Sequence, residues 1–152
     1  MGTEEGLFEP DAKLSGLPEL RDLDELVRFV REHSDILLRY SKGPKADAEH
    51  GPSRDYEAGV ELPGLSATWV EPESWWPRAV EDWVARRVCK YAELGEAEGR
   101  YPWLLTGEVA GYGPDHEPLL VRVRPLAKIS AEALEQAKDH YVRTFDVGKD
   151  ST

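Results

Sequence analysis

The sequence predicts a single α+β domain, with a mostly antiparallel sheet of about four to six strands and three helices. Three observations carry that prediction. The predicted elements run helix, strand, strand, helix, strand, strand, helix, not in a regular βαβα alternation. Two runs, 103–109 and 119–129, alternate side chains across two faces, and the turn-forming GYGPDHEP lies between them, which marks a hairpin. The 152 residues, 40% hydrophobic and 32% charged, suit one domain with a core of its own.

Residues 1–18 mix Gly, Pro and acidic residues without a period and read as a flexible tail, with Leu7, Phe8 and Leu14 as its candidates for packing. The domain proper is expected over 19–147, with 148–152 frayed. Asp22, with Glu25 three residues on, resembles a capping box and opens the first helix. Leu23, Leu26, Val27 and Val30 make its apolar face, and it ends near His33 or Ser34. A strand over 36–41 follows. Period two places Leu38 and Tyr40 on one face and Leu37, Arg39 and Ser41 on the other, so an arginine sits in an apolar strand close to its end. Lys42-Gly43-Pro44 stops it.

Residues 42–61 read as a long loop with one helical turn around 45–49, and a loop of that length is often functional. A second short strand over 60–69, entered through Pro63-Gly64, carries Ser66, Ala67, Thr68 and Trp69. Pro77 suits the first turn of the next helix. Val80, Val84, Val88 and Tyr91 form its stripe, Trp83 and Ala92 flank it, Arg86 and Arg87 face outward, and Gly95 ends it. The adjacent Trp75 and Trp76 cannot both point inward from an extended segment, so one of them marks an interface. After the hairpin, Ser130 caps a last helix with Leu134, Ala137 and Tyr141 on one face.

The formal net charge is −11, from 30 acidic and 19 basic residues. Such a surface repels nucleic acid and anionic membranes and favours a protein partner with a basic surface. The single cysteine, Cys89, allows no intramolecular disulfide and no cysteine-rich zinc site, and its helix makes it a small buried hydrophobe. No apolar run approaches the roughly 20 residues that span a bilayer. The acidic MGTEEGLFEP lacks a signal-peptide pattern, which points to the cytoplasm. GxGxxG after a strand, the P-loop, HExxH and GxSxG are all missing, and the four histidines have no ligand-like spacing, so no metal is expected.

One constellation stands apart. Arg39 lies near a strand end, Ser66-Ala67-Thr68 lies on a second strand, and Asp115-His116-Glu117 precedes a third. Over roughly 36–129, this order resembles the Arg–Ser–Glu pattern of ADP-ribosyltransferases. The resemblance implies a cleft for NAD between sheet halves. Glu117 would be the catalytic carboxylate beside the ribose, stabilising the oxocarbenium charge that develops as the nicotinamide bond breaks. Arg39 would hold a phosphate or ribose oxygen, Ser66 and Thr68 would brace the site, and Tyr40 or Trp69 would stack on the nicotinamide. The family usually has Glu or Gln where this chain has Asp115, whose shorter arm bears on target activation. RYSKGP, SRDYEAG, ELPGLS and the tryptophan pair also resemble a family of small actinobacterial proteins of unknown function. That resemblance groups Ser53, Arg54 and Asp55 with the Arg39 region.

The same residues have plainer readings. Arg39 pairs with one of the many carboxylates, Ser66 and Thr68 are ordinary strand residues, and Asp115 and Glu117 fit a hairpin loop. The sequence therefore leaves two functions open. One is an NAD-dependent ADP-ribosyltransferase-like domain, active or degenerate. The other is a non-catalytic acidic protein-binding module of the inhibitor or immunity type. They divide on whether Arg39, Ser66 and Glu117 share one cleft.

Overall fold

The longest strands in the computed structural model are the two of the expected hairpin. The structure describes residues 7–52, 54–55, 59–72, 75–94, 99–114 and 116–145. In chain order the elements are β1 (Glu19–Leu20), α1 (Leu23–Glu32), β2 (Leu37–Ser41), α2 (Pro44–His50), β3 (Arg54–Asp55), β4 (Val60–Glu61), β5 (Leu65–Ser66), β6 (Thr68–Trp69), α3 (Val80–Leu94), β7 (Tyr101–Tyr112), β8 (Pro118–Ile129) and α4 (Ala131–Phe145). The fold is a single α+β domain with a curled sheet. Helix α2 is a fourth helix where the sequence predicted one helical turn and three helices in all. It is short and has no apolar stripe, so periodicity could not announce it.

β7 and β8 pair antiparallel from Trp103↔Lys128 to Tyr112↔Pro118. β2 lies antiparallel on the other edge of β7, from Leu37↔Leu105 to Ser41↔Tyr101. Beyond β2, β6 pairs only at Leu37↔Trp69 and Leu38↔Thr68. One residue earlier in the chain, β5 pairs with β8 instead, at Leu65↔Leu120 and Ser66↔Leu119. The segment 65–69 thus bridges β8 and β2 and curls the sheet onto itself. Backbone bonds from Ala67 N to the Pro118 oxygen (3.1 Å) and from Val70 N to the Ile36 oxygen (3.2 Å) extend both pairings. Gly64 permits the approach, because a Cβ there would lie 2.6 Å from the Leu120 carbonyl oxygen. The strand expected over 60–69 is therefore three short pieces, with β4 pairing β3 in a separate two-stranded sheet.

The remaining edge of β8 is covered twice. β1 runs parallel to it at Glu19↔Lys128 and Leu20↔Ile129. Further up, Val123 N donates to the Leu7 oxygen at 2.7 Å and Glu9 N donates to the Val123 oxygen at 3.0 Å. Leu7 and Phe8, in the stretch expected to be a flexible tail, pack on the cluster inside the curl.

The alternation read from the sequence divides the core into two. Leu37, Leu65, Ala67, Trp103, Leu105, Leu120 and Val123 fill the inside of the curl. Leu38, Leu104, Ala127 and Ile129 face outward beneath Leu26, Val27 and Val30 of α1, Val84 and Val88 of α3, and Ala133, Leu134 and Ala137 of α4. Each fully buried large aliphatic among them contributes about 1.5–3 kcal/mol. Asp22 caps α1 by accepting from Glu25 N at 2.9 Å, while Glu25 reaches back to Arg21 N at 2.7 Å. Ser130 caps α4 through Ala133 N at 3.0 Å. Cys89 is only partly buried, its thiol 3.6 Å from the Arg86 carbonyl.

α3 and α4 are tied by Asp82. Its Oδ1 lies 2.7 Å from His140 Nε2, and its Oδ2 accepts from Arg78 Nε at 3.0 Å. Burial opposes ionisation of this carboxyl, but the hydrogen bonds from His140 and Arg78 outweigh it and the pKa is lowered. A lowered folded-state pKa stabilises the fold above the ordinary aspartate range, and that stability is lost as pH falls through the lowered value. Asp82→Asn is expected to cost about 1–2 kcal/mol near neutral pH, with the gap to the parent chain closing in acid, as pH falls through the lowered pKa of Asp82. Urea denaturation at neutral and at acid pH checks this. A gap independent of pH would show that the ion pair contributes nothing.

Candidate functional site

The site forms where the sheet splits. After Leu38, β2 loses its partner on one edge, because the chain before Thr68 has turned away to pair with β8. Arg39 is the next residue, and its side chain spans the gap. Arg39 Nη1 donates to the Ser66 carbonyl oxygen at 2.8 Å and contacts Ser66 Oγ at 3.3 Å. A side chain thus replaces the ladder where the backbones diverge.

The other edge of the guanidinium is held by Asp47. Arg39 Nε donates to Asp47 Oδ2 at 2.7 Å, and Nη2 donates to Oδ1 at 3.3 Å. This bidentate pair is the strong form of the Arg–carboxylate interaction. It is largely buried, with side-chain exposures of 17% and 10%. α2 exists to place that carboxylate: Gly43 and Pro44 end β2 and start the helix, and Asp47 falls in its first turn. Ser41 completes the support. Its hydroxyl donates to Asp47 Oδ2 at 2.7 Å and accepts from Gly43 N at 3.1 Å and from Trp103 Nε1 at 3.0 Å, so its one proton and both lone pairs are used. Burial raises the pKa of the nearby Tyr101 phenol, and the negative charge of Asp47 adds to the shift.

A cleft of about 180 Å³ opens over this assembly, lined by Leu38, Arg39, Tyr40, Ser66, Ala67, Thr68 and Glu117. The three residues of the Arg–Ser–Glu pattern therefore line one cavity. Glu117 reaches it from the tip of the β7–β8 hairpin, which turns through Gly113 N to the Glu117 oxygen (2.8 Å) and His116 N to the Gly113 oxygen (2.9 Å). His116 takes the left-handed φ of 64° that closes the turn. The Glu117 carboxylate packs directly on Gly113, and a Cβ there would force it to shift.

Ala67, Thr68 and Glu117 also line a wider space of about 490 Å³ that adds Trp69, Arg87, His116 and Pro118. Trp69, resting on the inner core cluster, supplies the aromatic wall there. Tyr40 touches the smaller cleft, but its side chain packs toward the helix-facing cluster, as the two-residue period requires. Arg54 and Asp55 pair with Glu61 and Val60 in the separate small sheet. Asp115 and Ser53 lie outside the described residues.

The sequence reading missed Asp47 and the supporting role of Ser41 and Trp103. The one available signal was an acidic residue just past a Gly-Pro break that follows a buried arginine. Asp47 offsets the charge of Arg39, so the guanidinium serves as a fixed brace for Ser66 and the segment 65–69. Glu117 brings a carboxylate to the cleft lining, and a carboxylate in that position can stabilise positive charge that develops on a bound ligand. Among the described residues, no group of three or more His, Cys, Asp or Glu is placed to hold a metal ion. No helix among them is long and apolar enough to cross a membrane.

No curated protein and no solved structure matches the chain. Residues 13–151 match the Family of unknown function (DUF6098), so the chain belongs to that family.

Proposed function

We propose that the cleft binds NAD and cleaves its nicotinamide–ribose bond, as an ADP-ribosyltransferase-like domain. The observation that carries this reading is the convergence of Arg39, Ser66 and Glu117, from three separate strands or strand ends, on one cavity. In the reaction, the C1′–N bond breaks with its electron pair leaving on nicotinamide. A water or a target side chain then bonds to C1′ and gives up a proton. Glu117 stabilises the positive charge on the ribose and accepts a hydrogen bond from its 2′-hydroxyl. Ser66, locked by Arg39, presents its hydroxyl to the sugar, and Trp69 offers a ring beside the departing nicotinamide. We place the protein in the cytoplasm, where NAD is at hand.

The direct test is nicotinamide release, followed chromatographically, together with thermal unfolding in NAD. Binding with a dissociation constant near 0.1 mM is expected to add about 1.4 kcal/mol of stability at 1 mM NAD. No release and no change in the melting temperature at millimolar NAD would sink the reading.

The net charge of −11 favours a second reading, a non-catalytic module that docks a protein with a basic surface. That partner would be captured at low salt and lost at raised salt, with NAD having no effect.

A further inference from the structure

Beside the cleft lies a third cavity of about 270 Å³, lined by Thr68, Trp75, Trp83, Arg86 and Arg87. Thr68 joins it to the small cleft, and both Thr68 and Arg87 join it to the wider space next to Glu117. The three cavities therefore share walls, and a pair of arginines on one turn of α3 lies beside the space that Glu117 lines.

Its walls are those of a site for a planar anion. Trp75 is 65% exposed, yet its ring is fixed edge-on against Trp76 at 6.0 Å and Trp83 at 5.8 Å. Trp76 and Trp83 meet at 4.8 Å. A large exposed ring held by two others is prepared to stack on a flat ligand at little entropic cost. Arg87 sits with its guanidinium 4.8 Å above the Trp83 ring. Among the described residues, neither Arg86 nor Arg87 forms an ion pair with a carboxylate, although the chain has 30 acidic residues. The buried Trp83 Nε1 also has no hydrogen-bond partner among the described residues, an uncommon state for an indole.

Arg39 sharpens the point. Both edges of its guanidinium are already engaged, by Asp47 and by Ser66, so the cleft needs another source of positive charge if its substrate carries phosphates. Arg86 and Arg87 supply it, in the fork geometry that suits phosphate oxygens.

We infer that this cavity is a subsite for a nucleoside diphosphate, with the phosphates on Arg86 and Arg87 and the base stacked on Trp75. The inference rests on the nucleotide reading of the neighbouring cleft and names the half of the substrate that does not react. ADP tests it independently of the chemistry, because ADP lacks the bond that would break. Wild-type protein is expected to bind ADP at low salt with a change in tryptophan fluorescence, and to bind orthophosphate at least tenfold more weakly. The Arg86→Ala/Arg87→Ala double variant is expected to lose at least tenfold in ADP affinity. Trp75→Ala, at an exposed position, is expected to lose several-fold while keeping the parent melting temperature. Glu117→Gln should bind ADP as the parent does.

The outcomes separate the two claims. ADP binding that depends on the arginines, without NAD cleavage, keeps the subsite and removes the transferase. NAD cleavage with ADP affinity unchanged in both the arginine and Trp75 variants keeps the enzyme and removes the subsite. Orthophosphate binding as tightly as ADP overturns the nucleoside assignment.

Discussion

Asp47→Ala is expected to destabilise the protein by about 3 kcal/mol, the cost of stranding one member of a buried ion pair. The carboxylate receives two bonds from Arg39 and one from the Ser41 hydroxyl. Removing it leaves the Arg39 charge without its counterion in a largely dry gap and removes the acceptor of the Ser41 proton. For a chain of this size the loss corresponds to roughly 6–12 °C in melting temperature. Asp47→Asn keeps an acceptor but not the charge, and should fall between the parent and alanine. The double variant Arg39→Leu/Asp47→Leu should recover a large part of the loss, because an apolar pair of similar bulk has no buried charge to strand. Urea denaturation and calorimetry measure all three. A cost below about 1 kcal/mol for Asp47→Ala would mean that the pair is solvated and the split in the sheet is held by backbone pairing alone.

Under the proposed reaction, Glu117→Gln is expected to lower NAD cleavage by a factor of about 100–1,000, while the melting temperature stays within a few degrees of the parent. The amide is nearly the same shape as the carboxylate, so it can still lie against Gly113. It carries no negative charge, however, and so cannot oppose the positive charge that grows on the ribose. Because the interaction strengthens as the bond breaks, the loss belongs in kcat and not in KM. A variant that kept more than a tenth of the parent rate would remove Glu117 from the reaction, even with the cleft intact.

What could be read from the sequence was whatever repeats along it. The apolar stripes of α1, α3 and α4, the alternation of β7 and β8, and the two-residue period of β2 are local patterns, and the structure follows them. That last period put Arg39 and Leu37 on one face and Tyr40 on the other, and the structure turns the Leu37 face into the curl. What could not be read was non-local or too short to have a period. α2 is seven residues without an apolar face. β1, β5 and β6 are two residues each and exist only because a longer strand lies beside them. The Asp47 contact depends on the angle at which α2 leaves β2, and no spacing rule fixes that. The convergence of Arg39, Ser66 and Glu117 was legible only as a resemblance. Arg86 and Arg87 were legible as surface charges, but the wall of tryptophans beside them depends on how 75–76 folds back over α3.

The switch of partners within 65–69 has a consequence for how the protein acquires its site in time. The β7–β8 hairpin joins residues that are near neighbours in the chain, so its pairing is among the quickest to form. Arg39 meets Ser66 across 27 residues, and Trp103 meets Ser41 across 62, which are slower contacts with a larger loop entropy to overcome. The cleft has no walls until that last segment is seated between β8 and β2. Partly folded chains would therefore carry a formed hairpin, with Glu117 already at its tip, and yet lack the cleft. Recovery of the proposed NAD cleavage after dilution from denaturant would then report the closing of the curl, not the growth of secondary structure.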